Sequence, residues 1–195
     1  MSAAPADPRL VIFARLPVPG QAKTRLIPAL GAEGAARLYA RLLHRTVEEA
    51  RASGLSFELC VTGGERAAFA DLYGDQVTVT EQGEGDLGAR MGRVAGPALI
   101  IGSDCPGLNA AVLRAAANAL ADRSVVIGPA SDGGYYLIGF RERLPWLFED
   151  MEWSTSTVFA ETLARLAERG LGPAVLPELA DIDVPEDLEA WPELQ

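Results

Sequence analysis

Short apolar runs alternate with helical patterns along almost the whole chain. Runs rich in branched apolar residues and bounded by glycine or proline predict buried strands over residues 9–14, 57–61, 77–80, 98–101, 125–127, 135–138 and 174–176. Apolar residues at helical spacing predict helices over residues 32–52, 65–73, 87–94, 109–121 and 157–169, and a closing helix that begins at Pro185. Strands that alternate with helices predict an α/β protein, a three-layer sandwich around a mostly parallel, doubly wound sheet.

The chain shows no internal repeat and no break in composition, so we expect one domain over residues 9–192. A length of 195 residues, of which 49% are hydrophobic, is sufficient for a real core. Residues 1–8 are rich in alanine and proline and are expected to form a loose leader. No apolar run approaches the roughly 20 residues that a membrane-spanning helix needs.

Charge and cysteine content argue against several classes of partner and of metal site. The net charge of −10 argues against nucleic acid or an anionic membrane as a partner. Residues 8–45 hold seven basic side chains and one acid, whereas residues 178–195 hold seven acids and no base. These segments predict either two halves of one site, for anions and for metal, or an unevenly charged surface. Two cysteines and one histidine favour a reduced, cytoplasmic protein without a zinc site.

The segment after the first predicted strand is a candidate phosphate-binding loop. Ligands of doubly wound sheets bind beyond the carboxyl ends of the strands, which is where this loop begins. Gly20 lets the backbone approach a ligand, Lys23 supplies a point charge, and Arg25 supplies a fork that fits two phosphate oxygens. The alternative is a proline-glycine turn that carries surface cations.

Acidic side chains follow the central strand and return near the end of the chain. Asp104 comes after the apolar run 98–101, and Asp181 and Asp183 alternate along an extended segment, so both point to one side. Mg²⁺ prefers few carboxylates together with phosphate oxygens and water. These acids therefore predict a metal site, although an Asp that caps the next helix and acids that cap the segment at Pro185 explain the pattern as well.

Two glycine-rich segments could contact the rest of a nucleotide. Residues 82–90 contain three glycines within six residues and could lie flat against a base or a sugar. In residues 129–136, Asp132 precedes two glycines between predicted strands, which is typical of a ligand loop or of a plain Asp-Gly hairpin.

These segments together resemble the nucleotide-diphospho-sugar transferase superfamily, which has the glycosyltransferase-A type of fold. The resemblance covers residue 10 to about residue 191 and is closest to a small bacterial glycosyltransferase family, formerly of unknown function and associated with arsenosugar biosynthesis. It is carried by Pro-Val-Pro-Gly-Gln-Ala-Lys-Thr-Arg, Gly-Ser-Asp-Cys-Pro, Ser-Asp-Gly-Gly-Tyr-Tyr-Leu-Ile-Gly, Trp-Ser-Thr and Asp-Ile-Asp-Val-Pro-Glu-Asp. The phospholactate guanylyltransferase family is a more distant likeness. It lacks the Asp-Gly-Gly-Tyr-Tyr motif, which argues against a phospholactate-like acceptor.

The resemblance implies a cytoplasmic, metal-dependent transferase that uses Mg²⁺ or Mn²⁺, a nucleotide-activated small molecule and a small acceptor. Glycosyl transfer is the expected reaction. Nucleotidyl transfer with release of pyrophosphate and a non-catalytic nucleotide-binding domain are the alternatives. The implied catalytic residues are Lys23, Arg25 and Asp104, and the implied metal ligands are Asp104, Asp181 and Asp183. The nucleotide-binding residues are expected to be Arg15, Pro19, Gly20, Lys23, Arg25, Gln82, Gly83, Gly88, Arg90, Asp132, Gly133 and Gly134.

Overall fold

One mixed sheet organises the part of the chain that a computed structural model describes, residues 7–74 and 76–194. Its strands follow the order β3-β2-β1-β4-β6-β5-β7. Strands β1 to β4 are parallel, whereas β6 runs antiparallel to both β4 and β5 because a short turn links it to β5. The strands are β1 Arg9–Arg15, β2 Phe57–Thr62, β3 Thr78–Glu81, β4 Ala98–Ile101, β5 Val125–Pro129, β6 Tyr135–Phe140 and β7 Ala174–Val175. Most of the predicted leader, residues 1–6, lies outside the described residues.

The helices of the described residues largely follow the predicted pattern, and none is both long and apolar enough to cross a membrane. They are α1 Ile27–Ser53, α2 Arg66–Tyr73, α3 Leu87–Met91, α4 Ala110–Asp122 and α5 Val158–Glu168. Asn109 caps α4 as its side-chain oxygen accepts hydrogen bonds from two backbone amides.

Three helices differ from the prediction in their bounds. Within the bounds of α1, non-helical geometry at Gly31 (φ 70°, ψ 166°) separates a short helical turn that opens at Pro28 from the helix predicted to begin at residue 32. Helix α3 ends at Met91, three residues before the predicted end. The closing helix predicted at Pro185 is a short 3-10 helix, Pro185–Ala190. Short 3-10 segments also cover Thr24–Leu26, Pro145–Leu147 and Pro192–Leu194.

The predicted three-layer α/β fold is confirmed. Leu10 and Ile12 of β1 pack in a cluster with residues of α1, α2 and α4, while Val11 packs in a second cluster with residues of α3 and α5. Alternate side chains of the same strand therefore enter opposite layers, as a strand buried on both faces requires.

A third apolar cluster fixes the acidic end of the chain near the carboxyl ends of the strands. Ile182 is fully buried against Leu26, Leu38 and Leu42, which belong to the loop after β1 and to α1. The backbone amide of Ile182 also donates a hydrogen bond to the carbonyl of Asp104, at 2.9 Å. This contact brings the segment that carries Asp181 and Asp183 to the end of β4.

Candidate functional site

The loop after β1 directs the side chain of Lys23 inward. A turn that centres on Gly20 (φ 79°) leads into Ala22, which is buried in the core. Lys23 has left-handed backbone geometry (φ 47°, ψ 50°), and its side chain is only 6% exposed. Its Nζ donates hydrogen bonds to Oδ2 of Asp104 at 3.0 Å and to Oδ1 of Asp183 at 3.2 Å. The structure thus joins the basic loop and two of the three predicted metal ligands.

Arginines surround this ammonium group on its solvent side. Arg25, with a 64% exposed side chain, donates to the second oxygen of Asp183 at 2.6 Å. Arg15 donates to the carbonyl of Gln21 at 3.1 Å. Together with Lys23 they line a cavity of about 340 Å³, which we call the cationic cavity. Guanidinium groups that remain exposed in a concave site are suited to bind phosphate oxygens.

Lys23 is the only lysine of the chain, because the other sixteen basic residues are arginines. Burial alone would lower its pKa, but the charges of Asp104 and Asp183 and the hydrogen bonds to both together raise it above its ordinary 10.5. The side chain is therefore a permanently charged ammonium group at neutral pH. A compact ammonium can lie between two carboxylates, a role that the larger planar fork of arginine fills less readily.

Tyr39 of α1 supports this site and was not predicted from the sequence. Its hydroxyl accepts a hydrogen bond from the backbone amide of Arg15 at 2.9 Å and bonds Oγ of Ser103 at 2.8 Å. It thereby connects the end of β1 to the loop that carries Asp104, and it lines the cationic cavity. A tyrosine on an otherwise apolar helix face is the one available sequence signal, and a core position explains that signal equally well.

A second cavity of about 280 Å³ lies on the other side of Asp104 and Asp183; we call it the acidic cavity. Its wall also includes the carboxylates of Asp132 and Asp181, so the acids at alternate positions do face one site. The remaining wall is aromatic, apolar or hydroxyl-bearing and comprises Leu87, Tyr135, Tyr136, Trp153, Ser154, Thr155 and Val158, together with the small residues Gly102, Ala130 and Gly134.

The turn between β5 and β6 shapes one side of the acidic cavity. Oδ1 of Asp132 accepts a hydrogen bond from the amide of Gly134 at 2.8 Å, so the segment is a hairpin turn that also lines a cavity. Gly133 has φ 88°, and a Cβ there would lie 2.2 Å from the carbonyl oxygen of Ser156. Only glycine permits this approach, which brings the segment of Trp153 against the turn.

The surroundings of Asp181 are strongly unfavourable for its charge. Burial and then the charges of Asp104 and Asp132 raise its pKa from 3.8 to about 6. The folded protein therefore holds a proton on Asp181 more tightly than the unfolded chain does. Above pH 6 the ionised side chain lowers the free energy of unfolding, and this cost disappears as the pH falls toward 4.

We expect Asp181→Asn to stabilise the metal-free protein at pH 7.5 by about 1 kcal/mol, after allowance for partial exposure. The gain should shrink steadily as the pH falls from 6 to 4. Urea unfolding in EDTA at several pH values measures this difference, with Asp122→Asn at the exposed end of α4 as the control. A gain that grows on acidification would refute the electrostatic description of this wall.

The predicted metal ligands supply few oxygens from the protein. Among the described residues there is no group of three or more His, Cys, Asp or Glu side chains arranged to hold a metal ion. Asp104 and Asp183 do converge on one cation, the Lys23 ammonium. Two carboxylates of this kind fit a hard divalent cation whose other ligands are phosphate oxygens and water.

The glycine-rich segment 82–90 is held by hydrogen bonds to the rest of the protein. The side-chain Nε2 of Gln82 donates to the carbonyls of Ala14 and Cys60, and its side-chain Oε1 accepts a hydrogen bond from Arg90. A Cβ on Gly88 would lie 2.3 Å from the carbonyl oxygen of Phe148. Seven of the predicted nucleotide-binding residues line neither cavity in the described part of the chain: Pro19, Gly20, Gln82, Gly83, Gly88, Arg90 and Gly133.

Cys105, which follows Asp104, is not poised as a nucleophile. Burial raises the pKa of its thiol to about 12, and Sγ donates to the carbonyl of Ala180 at 3.3 Å. A neutral thiol held in this way contributes packing rather than covalent catalysis.

Comparison with known proteins relates this chain to bacterial proteins and to nucleotide-dependent enzymes. Residues 46–155, more than half of the chain, match the family DUF2064, described as an uncharacterized protein conserved in bacteria. A candidate nucleotide-diphospho-sugar transferase from Desulfovibrio desulfuricans G20 is 29% identical, with a TM-score of 0.84 over 90% of this chain and 82% of that one. No curated protein matches the sequence significantly.

Two more distant structures share the fold. Rv0371c from Mycobacterium tuberculosis H37Rv, in complex with manganese, is 18% identical with a TM-score of 0.55, over 96% of this chain and 99% of that one. CMP:2-keto-3-deoxy-manno-octonic acid synthetase, complexed with CTP, is 14% identical with a TM-score of 0.55, over 97% of this chain and 98% of that one.

Proposed function

We propose that this chain, which belongs to the bacterial family DUF2064, is a transferase that binds a nucleotide-activated donor at Lys23 and Arg25 and passes a glycosyl group to a small acceptor. The observation that carries the proposal is the buried ammonium of Lys23, which lines the cationic cavity and pairs with Asp104 and Asp183, the two acids that also line the acidic cavity. An ammonium held beside the shared wall of two cavities is placed to contact the phosphate that links two parts of a substrate.

The resemblance to the nucleotide-diphospho-sugar transferase superfamily that the motifs predict is confirmed by the family match and the D. desulfuricans structure. These relatives support a transferase that acts on a nucleotide-activated substrate. The choice of a glycosyl group follows the closer likeness and remains our proposal.

Direct displacement is the reaction that the side chains support. The donor phosphates would enter the cationic cavity, where Lys23 and Arg25 would exchange carboxylate oxygens for phosphate oxygens. Their charges would then stabilise the negative charge that builds on the leaving group. An acceptor hydroxyl in the acidic cavity would attack the sugar carbon as the bond from that carbon to the donor phosphate breaks, and a carboxylate of the cavity would accept the hydroxyl proton. The neutral thiol of Cys105 leaves no covalent intermediate at that position.

Asp104 and Asp183 would hold a divalent metal together with the donor phosphates, with Asp181 close by. A bound Mg²⁺ or Mn²⁺ would neutralise phosphate charge there. The manganese complex of Rv0371c supports this assignment by analogy of fold. Because Lys23 already occupies both carboxylates, we expect metal to bind well only together with a nucleotide.

Nucleotidyl transfer is the second candidate, and the number of cations favours it. Three basic side chains line the cationic cavity, which suits a triphosphate whose pyrophosphate leaves. The likeness to a synthetase that binds CTP points the same way.

A thermal-shift panel of nucleotide-sugars and nucleoside triphosphates, each with Mg²⁺, Mn²⁺ or EDTA, tests the proposal. A ligand at 100 times its Kd stabilises by about 2.7 kcal/mol, or a few degrees in Tm for a domain of this size. We expect nucleotide-sugars to stabilise the protein more than triphosphates, and metal to increase the effect. Stronger stabilisation by triphosphates would select nucleotidyl transfer, and no stabilisation by either class would refute both. Binding without any turnover would leave a non-catalytic nucleotide-binding domain.

A further inference from the structure

The acidic cavity differs in chemistry from the cationic cavity although the two share a wall. We propose that it selects an acceptor that is uncharged or cationic and rich in hydroxyl or amino groups, and that it excludes phosphorylated and carboxylated acceptors. This inference rests on the proposed function and specifies the class of its second substrate.

Charge is the first argument. Four carboxylates line the cavity and, within residues 7–74 and 76–194, no basic side chain lines it. Lys23 and Arg25 offset Asp104 and Asp183, but Asp132 and Asp181 have no ion pair in the described part of the chain. In the metal-free protein an anionic ligand would therefore meet two uncompensated negative charges, and like charges in a partly buried site strongly disfavour binding. With a divalent metal at Asp104 and Asp183, the carboxylate of Asp132 would still oppose an anionic acceptor.

Hydrogen-bonding capacity is the second argument. Ionised carboxylates only accept hydrogen bonds, so a ligand that satisfies them has to donate. Sugar hydroxyls and ammonium groups donate, whereas a phosphate dianion does not. Ser154 and Thr155 add hydroxyls that can either donate or accept.

The shape of the cavity is the third argument. Trp153 and Tyr135 meet edge to face, with ring centroids 6.4 Å apart, and Leu87, 42% exposed, adds an apolar side chain to the wall. An apolar wall that faces a few polar groups suits the ring of a sugar or another small polyol, which has both C–H faces and hydroxyl edges.

The acidic cavity would treat the acceptors of nucleotidyl transfer and of glycosyl transfer differently. Nucleotidyl transfer to a phosphorylated small molecule would place the attacking phosphate among these carboxylates. Glycosyl transfer to a hydroxyl places a hydrogen-bond donor there instead. The acidic wall thus favours a hydroxyl nucleophile, whichever group is transferred to it.

Saturation-transfer NMR on the wild-type protein with matched ligand pairs tests the inference. The pairs are glucose and glucose 6-phosphate, ribose and ribose 5-phosphate, and glycerol and glycerol 3-phosphate, at equal concentrations without nucleotide. In each pair that binds we expect the uncharged member to receive at least about five times more saturation. In a variant with Asp132→Asn and Asp181→Asn, which keeps the shape and removes two charges, the phosphorylated members should gain severalfold.

Stronger binding of the phosphorylated members to the wild-type protein would overturn the inference, and so would the absence of binding by every pair. The wild-type comparison decides the matter even if the double variant does not fold. Calorimetric titration of the same protein with nucleoside diphosphates distinguishes a failure of the proposed function from a failure of the proposed acceptor class. If these nucleotides do not bind, the proposed function fails; if they bind while phosphorylated acceptors are preferred, only the present inference fails.

Discussion

Lys23→Met is expected to weaken the binding of a nucleoside diphosphate about 10- to 100-fold, the usual value of charge-assisted hydrogen bonds. Transfer should fall further, to about one hundredth of the wild-type kcat/KM or less, because the ammonium also stabilises charge on the leaving group. Methionine is an unbranched side chain, one atom shorter than lysine, and it removes the positive charge together with the N–H donors. The carboxylates of Asp104 and Asp183 are 39% exposed, so water can solvate them and the fold should survive.

Calorimetry with nucleoside diphosphates and a donor turnover assay measure these losses, and circular dichroism checks the fold. Arg37→Met is the matched control, because Arg37 belongs to the same basic segment but is 71% exposed and pairs with Glu33 on the surface of α1. Equal losses in both variants would mean that general charge, rather than the position of Lys23, attracts the nucleotide.

Asp104→Asn is expected to make the enzyme insensitive to divalent metal and to lower the rate of transfer about 100- to 1,000-fold, the scale at which a metal stabilises transition-state charge. Asparagine preserves the size of the side chain, and Lys23 retains its bond to Asp183. Titration of Mn²⁺ in the presence of a nucleoside diphosphate gives a second reading that does not depend on turnover. We expect the Mn²⁺ affinity to fall at least about tenfold in that titration.

Asp122→Asn, at the exposed end of α4, controls for the loss of one negative charge elsewhere. The assignment of Asp104 to metal would be wrong if its asparagine variant still bound Mn²⁺ with nucleotide at the wild-type affinity. It would also be wrong if Mg²⁺ or Mn²⁺ still raised the residual activity to the same extent.

The pairing of Lys23 with Asp104 could be anticipated from the sequence although 81 positions separate them. Each follows an apolar strand, and the carboxyl ends of parallel strands meet at one edge of a sheet. Strands β1 and β4 are in fact parallel neighbours. The position of the two loops at the ends of parallel strands therefore predicts their proximity, although neither local sequence does so alone.

The position of Asp183 beside Lys23 does not follow from the order of the strands alone. The alternation of acids around Ile182 predicts that Asp181 and Asp183 share one side, and both line the acidic cavity. Their position beside Lys23 depends on the burial of Ile182 under α1 and on its bond to the Asp104 carbonyl. Such long-range packing leaves no local signature in the sequence.

Local patterns say less about the rest of the site. Glycines in segment 82–90 suggest ligand contact, but the close approach of the Phe148 backbone to Gly88 gives a second reason for a glycine at that position. Trp153 and its hydroxyl neighbours carried part of the family likeness without a role, since their access to a cavity depends on Gly133 across the turn. The reasons for Gly88 and for the position of Trp153 lie in contacts between residues that are distant in the sequence.

The central claim, that the donor phosphates bind at Lys23, has a direct test because the chain contains no other lysine. Protein labelled with ¹⁵N at the lysine side chain should give one ammonium signal in NMR spectra. On titration with a nucleoside diphosphate and Mg²⁺, we predict that this signal shifts and saturates at the Kd measured by calorimetry. An ammonium signal that stays unchanged while the nucleotide binds would contradict the account.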